Sequence, residues 1–179
     1  MLAPEPRKGN WMQTVNGRQF WPLDPRPEEV FIEDIAWALA HLCRYNGHCS
    51  KFYSVAEHSV LVSQVLKGTG HELCGLLHDG TEAYCADVPR PLKRMLTGYA
   101  EIEQGVWVAV ASRFGLPEQM PEEVHAADNA VLWAEKPILM GDAHAWSDVG
   151  TPAVVGIIGW PPEVAYRLFM DRFRELTTG

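Results

Sequence analysis

The chain has 179 residues, of which 47% are apolar and 21% are charged, and it carries a net charge of −8. These values suit one globular domain and argue against a disordered or fibrous chain. The acidic balance disfavours binding to a nucleic-acid polymer, which requires a basic face.

Segments for membrane insertion or export are not expected. The longest apolar run, Ala153 to Trp160, has eight residues, whereas a membrane span needs about 18–20. The first ten residues contain prolines and charges but no apolar core, so they do not resemble a signal peptide. The four cysteines form no CxxC pair, which leaves free thiols in a cytoplasmic protein as the expectation.

Residues 1–27 predict a small β-hairpin followed by a proline-rich lead-in. Asn16-Gly17 lies between the β-prone residues of the segment Gln13 to Phe20, which is typical of a tight hairpin turn. Three prolines between positions 22 and 27 should then prevent regular structure. We therefore expect the helical domain to occupy residues 28–179 of a single-domain protein.

The helical domain is predicted from apolar residues that recur every three or four positions and from capping signals. Ser54 is a candidate N-cap, and Gly115 is a candidate C-cap. The predicted fold class is all-α, a helical bundle with an N-terminal β-hairpin. The predicted helices run over about 31–43, Ser54 to Leu66, His71 to Cys85, Tyr99 to Phe114, Pro121 to Met140 and Pro161 to Leu176, with a loop over Val149 to Gly159.

The segment His78-Asp79-Gly80-Thr81-Glu82 is the strongest indication of chemistry. If it is helical, His78 and Asp79 can share one metal ion, and Glu82 lies on the same side of the helix. A polar helix surface is the alternative. However, the flanking residues are apolar, and charged groups in an apolar segment are costly to bury unless they are paired or bound to metal.

Two isolated polar residues in other apolar helices extend this indication. His58 lies within Val55 to Val60, where a lone histidine is more often a core residue with a hydrogen-bond partner than a ligand. Asp128 lies between alanines and Val131, where it would be unfavourable without a partner. The segment from Ala86 to Lys93 adds one acidic and two basic residues just after Glu82.

The order His58, His78-Asp79, Asp128, together with Glu82 and Asp87, resembles that of the HD-domain metal-dependent phosphohydrolases over about residues 30–140. The pair Arg44-Tyr45 is similar to the arginine–aromatic pair of the small 5′-deoxynucleotidase branch. The segments 43–48 and 52–59 resemble the small phage deoxynucleoside triphosphohydrolases, including those that act on dATP.

The resemblance implies a metal site and its catalytic groups. Two imidazoles and two carboxylates suit one divalent ion such as Zn, Co, Mn, Ni or Fe. Glu82 would take the proton of the attacking water or donate one to the leaving 5′ oxygen, and Asp87 would lie near the sugar or the water. The implied metal ligands are His58, His78, Asp79 and Asp128.

Substrate binding needs cations for the phosphates and room for the base. Arg44 and Lys93 are preferred for the phosphates, with Arg90 as a further candidate. Tyr45 and Tyr84 could stack on a base, although aromatic residues at this spacing are often part of the core. Gly47 would leave room for a ring to approach.

The resemblance leaves the substrate open. A deoxynucleoside triphosphate triphosphohydrolase, with dATP favoured, would release deoxynucleoside and triphosphate. A 5′-deoxynucleotidase acting on monophosphates, a non-catalytic nucleotide-binding HD protein and a purely structural helical module are the alternatives. The resemblance and the seven tryptophans also predict a homo-oligomer.

Overall fold

The computed structural model of the protein describes residues 6–141, 144 and 150–178. The chain is mostly helical, with 55% of its residues in helices and one small two-stranded antiparallel hairpin, which confirms the predicted fold class. No helix in the described part of the chain is long and apolar enough to cross a membrane.

The N-terminal hairpin pairs β1 (Met12–Gln13) with β2 (Gln19–Phe20) in an antiparallel register. Gly17 adopts a positive φ of 75° in the predicted turn, a conformation that glycine adopts without a steric penalty. The buried carboxylate of Asp34 accepts a hydrogen bond from Asn16 and pairs with Arg18 at 3.1 Å. These two contacts fasten the hairpin to the first helix.

The helical part follows the predicted order, with two additional 3-10 turns and one short helix that the sequence did not predict. The 3-10 turns span Pro27–Glu29 and Arg44–Gly47. The helices are α1 (Ile32–His41), α2 (Val55–Val65), α3 (Glu72–Leu77), α4 (Glu82–Cys85), α5 (Arg90–Lys93), α6 (Tyr99–Phe114), α7 (Glu122–Leu139) and α8 (Pro162–Thr177).

Two capping residues act as their types predict. The Ser54 side chain accepts a hydrogen bond from the backbone N–H of Glu57 at 3.1 Å and so starts α2. Gly115 ends α6 with a left-handed φ of 68°. These local signals explain why the predicted and observed helix ends agree closely here.

The prediction of one continuous helix from His71 to Cys85 is wrong. The chain leaves the α-helix after Leu77 and re-enters one at Glu82. In between, the Gly80 N–H donates to the Leu77 carbonyl at 2.8 Å, and a Cβ at position 80 would lie 2.9 Å from that oxygen. Because glycine has no Cβ, the chain can form a turn here that is tighter than that of an α-helix. His78 and Asp79 therefore project from this turn rather than from one helix face.

Helix α2 forms the buried centre of the bundle and packs against α1, α3, α7 and α8. Its residues 55–63 are all buried, but Val65, near its C-terminal end, is 39% exposed. The buried Glu57 carboxylate accepts the backbone N–H groups of Ile158, Gly159 and Trp160. It thereby holds the segment 150–160, which is irregular as predicted over its described part; Val149 lies outside the described residues.

Candidate metal centre

Three predicted ligands from different parts of the chain meet at one point. His58 comes from α2, His78 from the turn after α3, and Asp128 from α7. One ligand atom of each lies within 4.8 Å of the others. The Nε2 atoms of His58 and His78 are 3.1 Å and 3.9 Å from Asp128 Oδ1. These three residues could therefore bind one metal ion.

The orientation of both imidazoles suits a cation. The Nδ1 atom of His58 lies 2.6 Å from a carboxylate oxygen of Glu135, and that of His78 lies 2.8 Å from the Gly75 carbonyl. Because both partners are acceptors, each Nδ1 carries the proton and donates it. Both Nε2 atoms are buried and have no hydrogen-bond partner among the described residues.

An Nε2 atom buried without a partner is unfavourable unless it binds a proton donor or a metal. The 3.1 Å approach of His58 Nε2 to Asp128 lacks the alignment of a hydrogen bond. A divalent ion between the two imidazoles and the carboxylate would satisfy all three groups. The donor set and its unpaired nitrogen atoms therefore fit the predicted metal.

Asp79 lies at the edge of this cluster. Its Oδ2 atom is 3.2 Å from His78 Nε2 and 3.9 Å from His58 Nε2, and it accepts a hydrogen bond from Arg44 at 3.4 Å. Burial raises the pKa of Asp79, but the neighbouring His78, His58 and Arg44 side chains outweigh burial and lower it to about 2. Its carboxylate is thus held as an anion facing both histidines.

The two predicted catalytic carboxyl groups lie beside the cluster. Glu82 is mostly buried, and its Oε2 atom has no hydrogen-bond partner in the described part of the chain. Burial and then the carboxylates of Asp79 and Asp87 hold the pKa of Glu82 well above its ordinary value. Burial also raises the pKa of Asp87. This accumulation of carboxyl groups favours a cation nearby.

A strained backbone presents Asp87. The preceding residue, Ala86, has φ 64° and ψ 159°, a conformation that residues other than glycine rarely adopt. The Tyr99 hydroxyl donates to the carbonyls of Cys85 and Ala86 at 3.2 Å and 3.1 Å. The chain thus reverses sharply after α4, and strain of this kind is frequent at functional sites.

The turn that carries the predicted substrate residues Arg44 and Tyr45 also contains left-handed backbone. Tyr45, Asn46 and Gly47 have φ values of 57°, 51° and 77°. Arg44 is buried and lies between Asp79 at 3.4 Å and Glu135 at 3.3 Å. The Arg44 guanidinium therefore reaches the cluster, as a phosphate-binding group would need to do.

Tyr45 and Gly47, the other two predicted substrate residues of this turn, have different surroundings. The Tyr45 hydroxyl donates to Glu135 at 2.5 Å, so the end of this side chain points inward. Gly47 is exposed, and a Cβ at this position would meet no atom within 4 Å. Among the described residues Gly47 thus borders open space, and its place beside a base stays a prediction.

Two cysteines close the ends of the same turn. The sulfur atoms of Cys43 and Cys49 are 3.5 Å apart, and both are free thiols, as are Cys74 and Cys85. Burial and the neighbouring Cys43 raise the pKa of Cys49 to about 11. The Cys49 thiol also donates to the Arg44 carbonyl at 3.8 Å, so this contact joins the two ends of the turn.

The predicted cations of α5 reach the cluster unequally. A guanidinium nitrogen of Arg90 lies 3.2 Å from Asp128 Oδ2, with the Arg90 side chain 62% exposed. Lys93 is paired with Glu103 of α6 at 2.5 Å. Arg90 thus stands at the solvent side of the metal ligands, whereas Lys93 already has an acidic partner.

Of the two roles that the sequence left open for Tyr84, the structure supports a place in the core. Its ring stacks on Phe20 of the hairpin with centroids 3.7 Å apart, and only 8% of the residue is exposed. Tyr84 therefore belongs to the core between the hairpin and α4.

Glu135 is the residue of this site that the sequence analysis missed. It is fully buried on α7, seven residues after Asp128 and so on the same face of the helix. It contacts His58, Tyr45, Tyr53 and Arg44. An acidic residue two helical turns from Asp128 in an apolar stretch was the signal that could have indicated it.

Comparison with known proteins finds relatives that are similar over most of the chain. No protein-family model matches the chain. It is 37% identical over 172 residues to the uncharacterized protein YfdR of Escherichia coli strain K12, covering 94% of this chain and 96% of the relative. It is also 36% identical over 178 residues to the uncharacterized protein RCAP_rcc00048 of Rhodobacter capsulatus, covering 88% and 91%. The chain is a helical protein with a histidine–aspartate cluster, and it belongs to the family of YfdR.

Proposed function

We propose that this protein is a metal-dependent phosphohydrolase of the HD-domain type that cleaves the 5′ phosphate ester of deoxynucleotides. The observation that carries the proposal is the meeting of His58, His78 and Asp128 with two unpartnered Nε2 atoms, beside the buried carboxyl of Glu82. These residues occur along the chain in the order that resembles this class of enzymes.

The proposed ligand set adds Asp79 to the three residues that converge. Its Oδ2 atom faces both imidazoles, at 3.2 Å from His78 Nε2 and 3.9 Å from His58 Nε2, and would be the fourth donor. Two nitrogen and two oxygen donors suit Zn, Co, Mn, Ni or Fe. When bound, such an ion supplies Lewis acidity that polarises a phosphate oxygen and lowers the pKa of water.

The remaining steps fall to side chains of this chain. Glu82 takes the proton of the attacking water or delivers one to the leaving 5′ oxygen, because its carboxyl is unpartnered and close to Asp79. Arg44 and Arg90 neutralise phosphate charge from the buried and the solvent sides of the ligands. Asp87 lies next to these groups and orients the sugar or the water.

The preferred substrate is a deoxynucleoside triphosphate, with dATP first. This choice rests on the resemblance and on the three cations Arg44, Arg90 and Lys93. One observation favours a 5′-deoxynucleotidase as the second candidate: each of these cations already has a carboxylate partner, namely Glu135, Asp128 and Glu103 respectively. Such pairing lowers the positive charge available to a triphosphate.

The function is tested by incubating the protein with each divalent ion and a panel of deoxynucleotides. We expect dATP to yield deoxyadenosine and triphosphate, because hydrolysis at the 5′ ester releases the phosphate chain intact. Product chromatography distinguishes this result from the release of orthophosphate from dAMP. Faster turnover of every monophosphate would leave the 5′-deoxynucleotidase, and a metal-loaded protein that binds nucleotide without turnover would indicate a non-catalytic member.

Lys93 provides a test of the triphosphate. If Lys93 contacts phosphate beyond the α position, Lys93→Ala should lower kcat/KM for dATP far more than for dAMP. The reason is that the monophosphate carries no charge at the position that Lys93 would reach. Steady-state kinetics with both nucleotides measures the ratio, and Lys67→Ala, an exposed lysine away from the cluster, is the control. Equal losses for the two nucleotides would place Lys93 elsewhere.

The homo-oligomer expected from the resemblance stays a prediction. Among the described residues, Leu92, Met95 and Leu96 are 53%, 79% and 41% exposed beside the cations of α5. An apolar surface of this kind is compatible with contact between subunits near the site.

A further inference from the structure

Glu135 combines complete burial with an unusual number of donors. Its Oε1 atom accepts from the Tyr53 hydroxyl at 2.8 Å and lies 2.6 Å from His58 Nδ1. Its Oε2 atom accepts from the Tyr45 hydroxyl at 2.5 Å and lies 3.3 Å from Arg44 Nε. Both oxygen atoms are therefore shared between the histidine side and the arginine side of the site.

Only a carboxylate fits these neighbours. Both tyrosine hydroxyls donate to Glu135, and His58 donates its Nδ1 proton to this carboxylate. The Arg44 guanidinium has no acceptor atom and forms an ion pair with Glu135 at 3.3 Å. The adjacent Arg44 guanidinium and the hydrogen bonds from His58 and Tyr45 favour the charged carboxylate at this position. A neutral amide of the same shape would turn an NH2 group toward one of these donors, which would then lose its acceptor.

We propose that Glu135 is a positioning residue that aims the Nε2 atom of His58 at the metal ion and, through the same carboxylate, holds Arg44 in place for the substrate phosphate. The second half of this inference rests on the proposed function, whereas the first half requires only that the protein bind a divalent ion.

The effect on His58 follows from hydrogen-bond geometry. A carboxylate that accepts the Nδ1 proton fixes the tautomer, prevents rotation of the ring and increases the electron density at Nε2. His78 has only a neutral carbonyl, that of Gly75, in the equivalent position. His58 is thus the ligand whose donor strength depends on a charged side chain outside the ligand set.

The effect on Arg44 follows from its two anionic partners. Arg44 lies between Glu135 and Asp79, so that one side of its guanidinium is anchored away from the ligands and the other faces them. Without the anchor, Arg44 would be free to turn fully toward Asp79 and compete with the metal for that carboxylate. Glu135 therefore supports metal binding at two ligands.

The experiment compares Glu135→Gln and Glu135→Asp with the parent. Zinc affinity is measured by competition with a chelator in the absence of nucleotide. We expect Glu135→Gln to bind zinc about 10–100-fold more weakly, as is usual when a partner of a metal-bound histidine is lost. Glu135→Asp keeps the charge and should recover part of this affinity. At saturating zinc, Glu135→Gln should regain most of kcat but keep a raised KM for nucleotide.

A spectroscopic signature separates positioning from general stability. In the zinc-loaded parent, the His58 Nδ1 proton should give a slowly exchanging resonance, which Glu135→Gln should lose. Glu57→Gln is the matched control: Glu57 is equally buried, but its oxygens accept backbone N–H groups of the 158–160 segment. This variant should be less stable and yet keep both the zinc affinity and the resonance.

The results for the Glu135 variants test this inference separately from the proposed function. Zinc affinity of Glu135→Gln within about threefold of the parent, well short of the usual loss, or an equal loss in Glu57→Gln, would overturn it. If Glu135→Gln does not fold, Glu135→Asp decides, since unchanged zinc affinity in that variant contradicts positioning and a weakened one supports it. A parent that binds no divalent ion would remove the proposed function together with the inference, whereas a zinc-binding parent without turnover would remove the function alone.

Discussion

His58→Ala, His78→Ala and Asp128→Ala should each abolish stoichiometric binding of a divalent ion and, with it, hydrolysis. Each substitution removes one of three ligand atoms that lie within 4.8 Å of one another. The loss should exceed the about 10–100-fold effect that is usual for a residue outside the ligand set, because a direct bond to the ion disappears. Metal analysis of the purified variants and chelator competition measure it.

Asp79 is the fourth proposed ligand, and its substitution tests whether the ligand set has three or four members. Asp79→Ala should lose metal as well, although Asp79 now pairs with Arg44 and lies at the edge of the cluster. His125→Ala, an exposed histidine on the same helix as Asp128, is the matched control and should retain full metal content. Full metal content in Asp79→Ala would reduce the ligand set to the three convergent residues.

Much of the fold was predictable because local signals determine it. The Ser54 side chain accepts the backbone N–H of Glu57, and Gly115 adopts a left-handed φ, so each residue defines a helix end locally. The break around Gly80 was not predictable in the same way, because a single glycine inside an apolar helical pattern is normally tolerated. Here the turn is tighter, since Gly80 approaches the Leu77 carbonyl more closely than a residue with a Cβ could.

The site was predictable only where residue type alone indicated chemistry. Charged residues in apolar helices pointed to His58 and Asp128, and the structure brings these together. Glu135 was missed because its role depends on partners far away in sequence, such as Tyr45 and Tyr53. The same limitation explains why the sequence left two roles open for Tyr84, whose stacking partner Phe20 belongs to the hairpin.

We expect substitutions of the metal ligands and of the proton-transfer groups to have different effects on metal binding and on catalysis. Glu82 lies outside the three-residue cluster, and its pKa is raised by burial and by the nearby carboxylate of Asp79, which faces two members of the cluster. A group in this position can exchange a proton with a reacting oxygen without contributing to metal affinity. Binding and catalysis should therefore respond differently to substitution at position 82.

Glu82→Gln should retain the metal and lose activity by about 10²–10⁴, the usual contribution of general acid–base catalysis. Glutamine keeps the shape of the side chain but can neither take the proton of a water nor deliver one to the leaving oxygen. The substitution leaves all the proposed ligands in place, so metal affinity should change little. Single-turnover kinetics with the metal-saturated enzyme isolate the chemical step.

Two companion variants make this result specific. Glu101→Gln, an exposed acidic residue in the first turn of α6, should match the parent in both metal content and rate. Asp87→Asn should keep the metal and affect the rate less than Glu82→Gln. If Glu82→Gln stays within a fewfold of the parent and Asp87→Asn does not, the proton passes through Asp87, which the strained backbone at Ala86 presents to the same site.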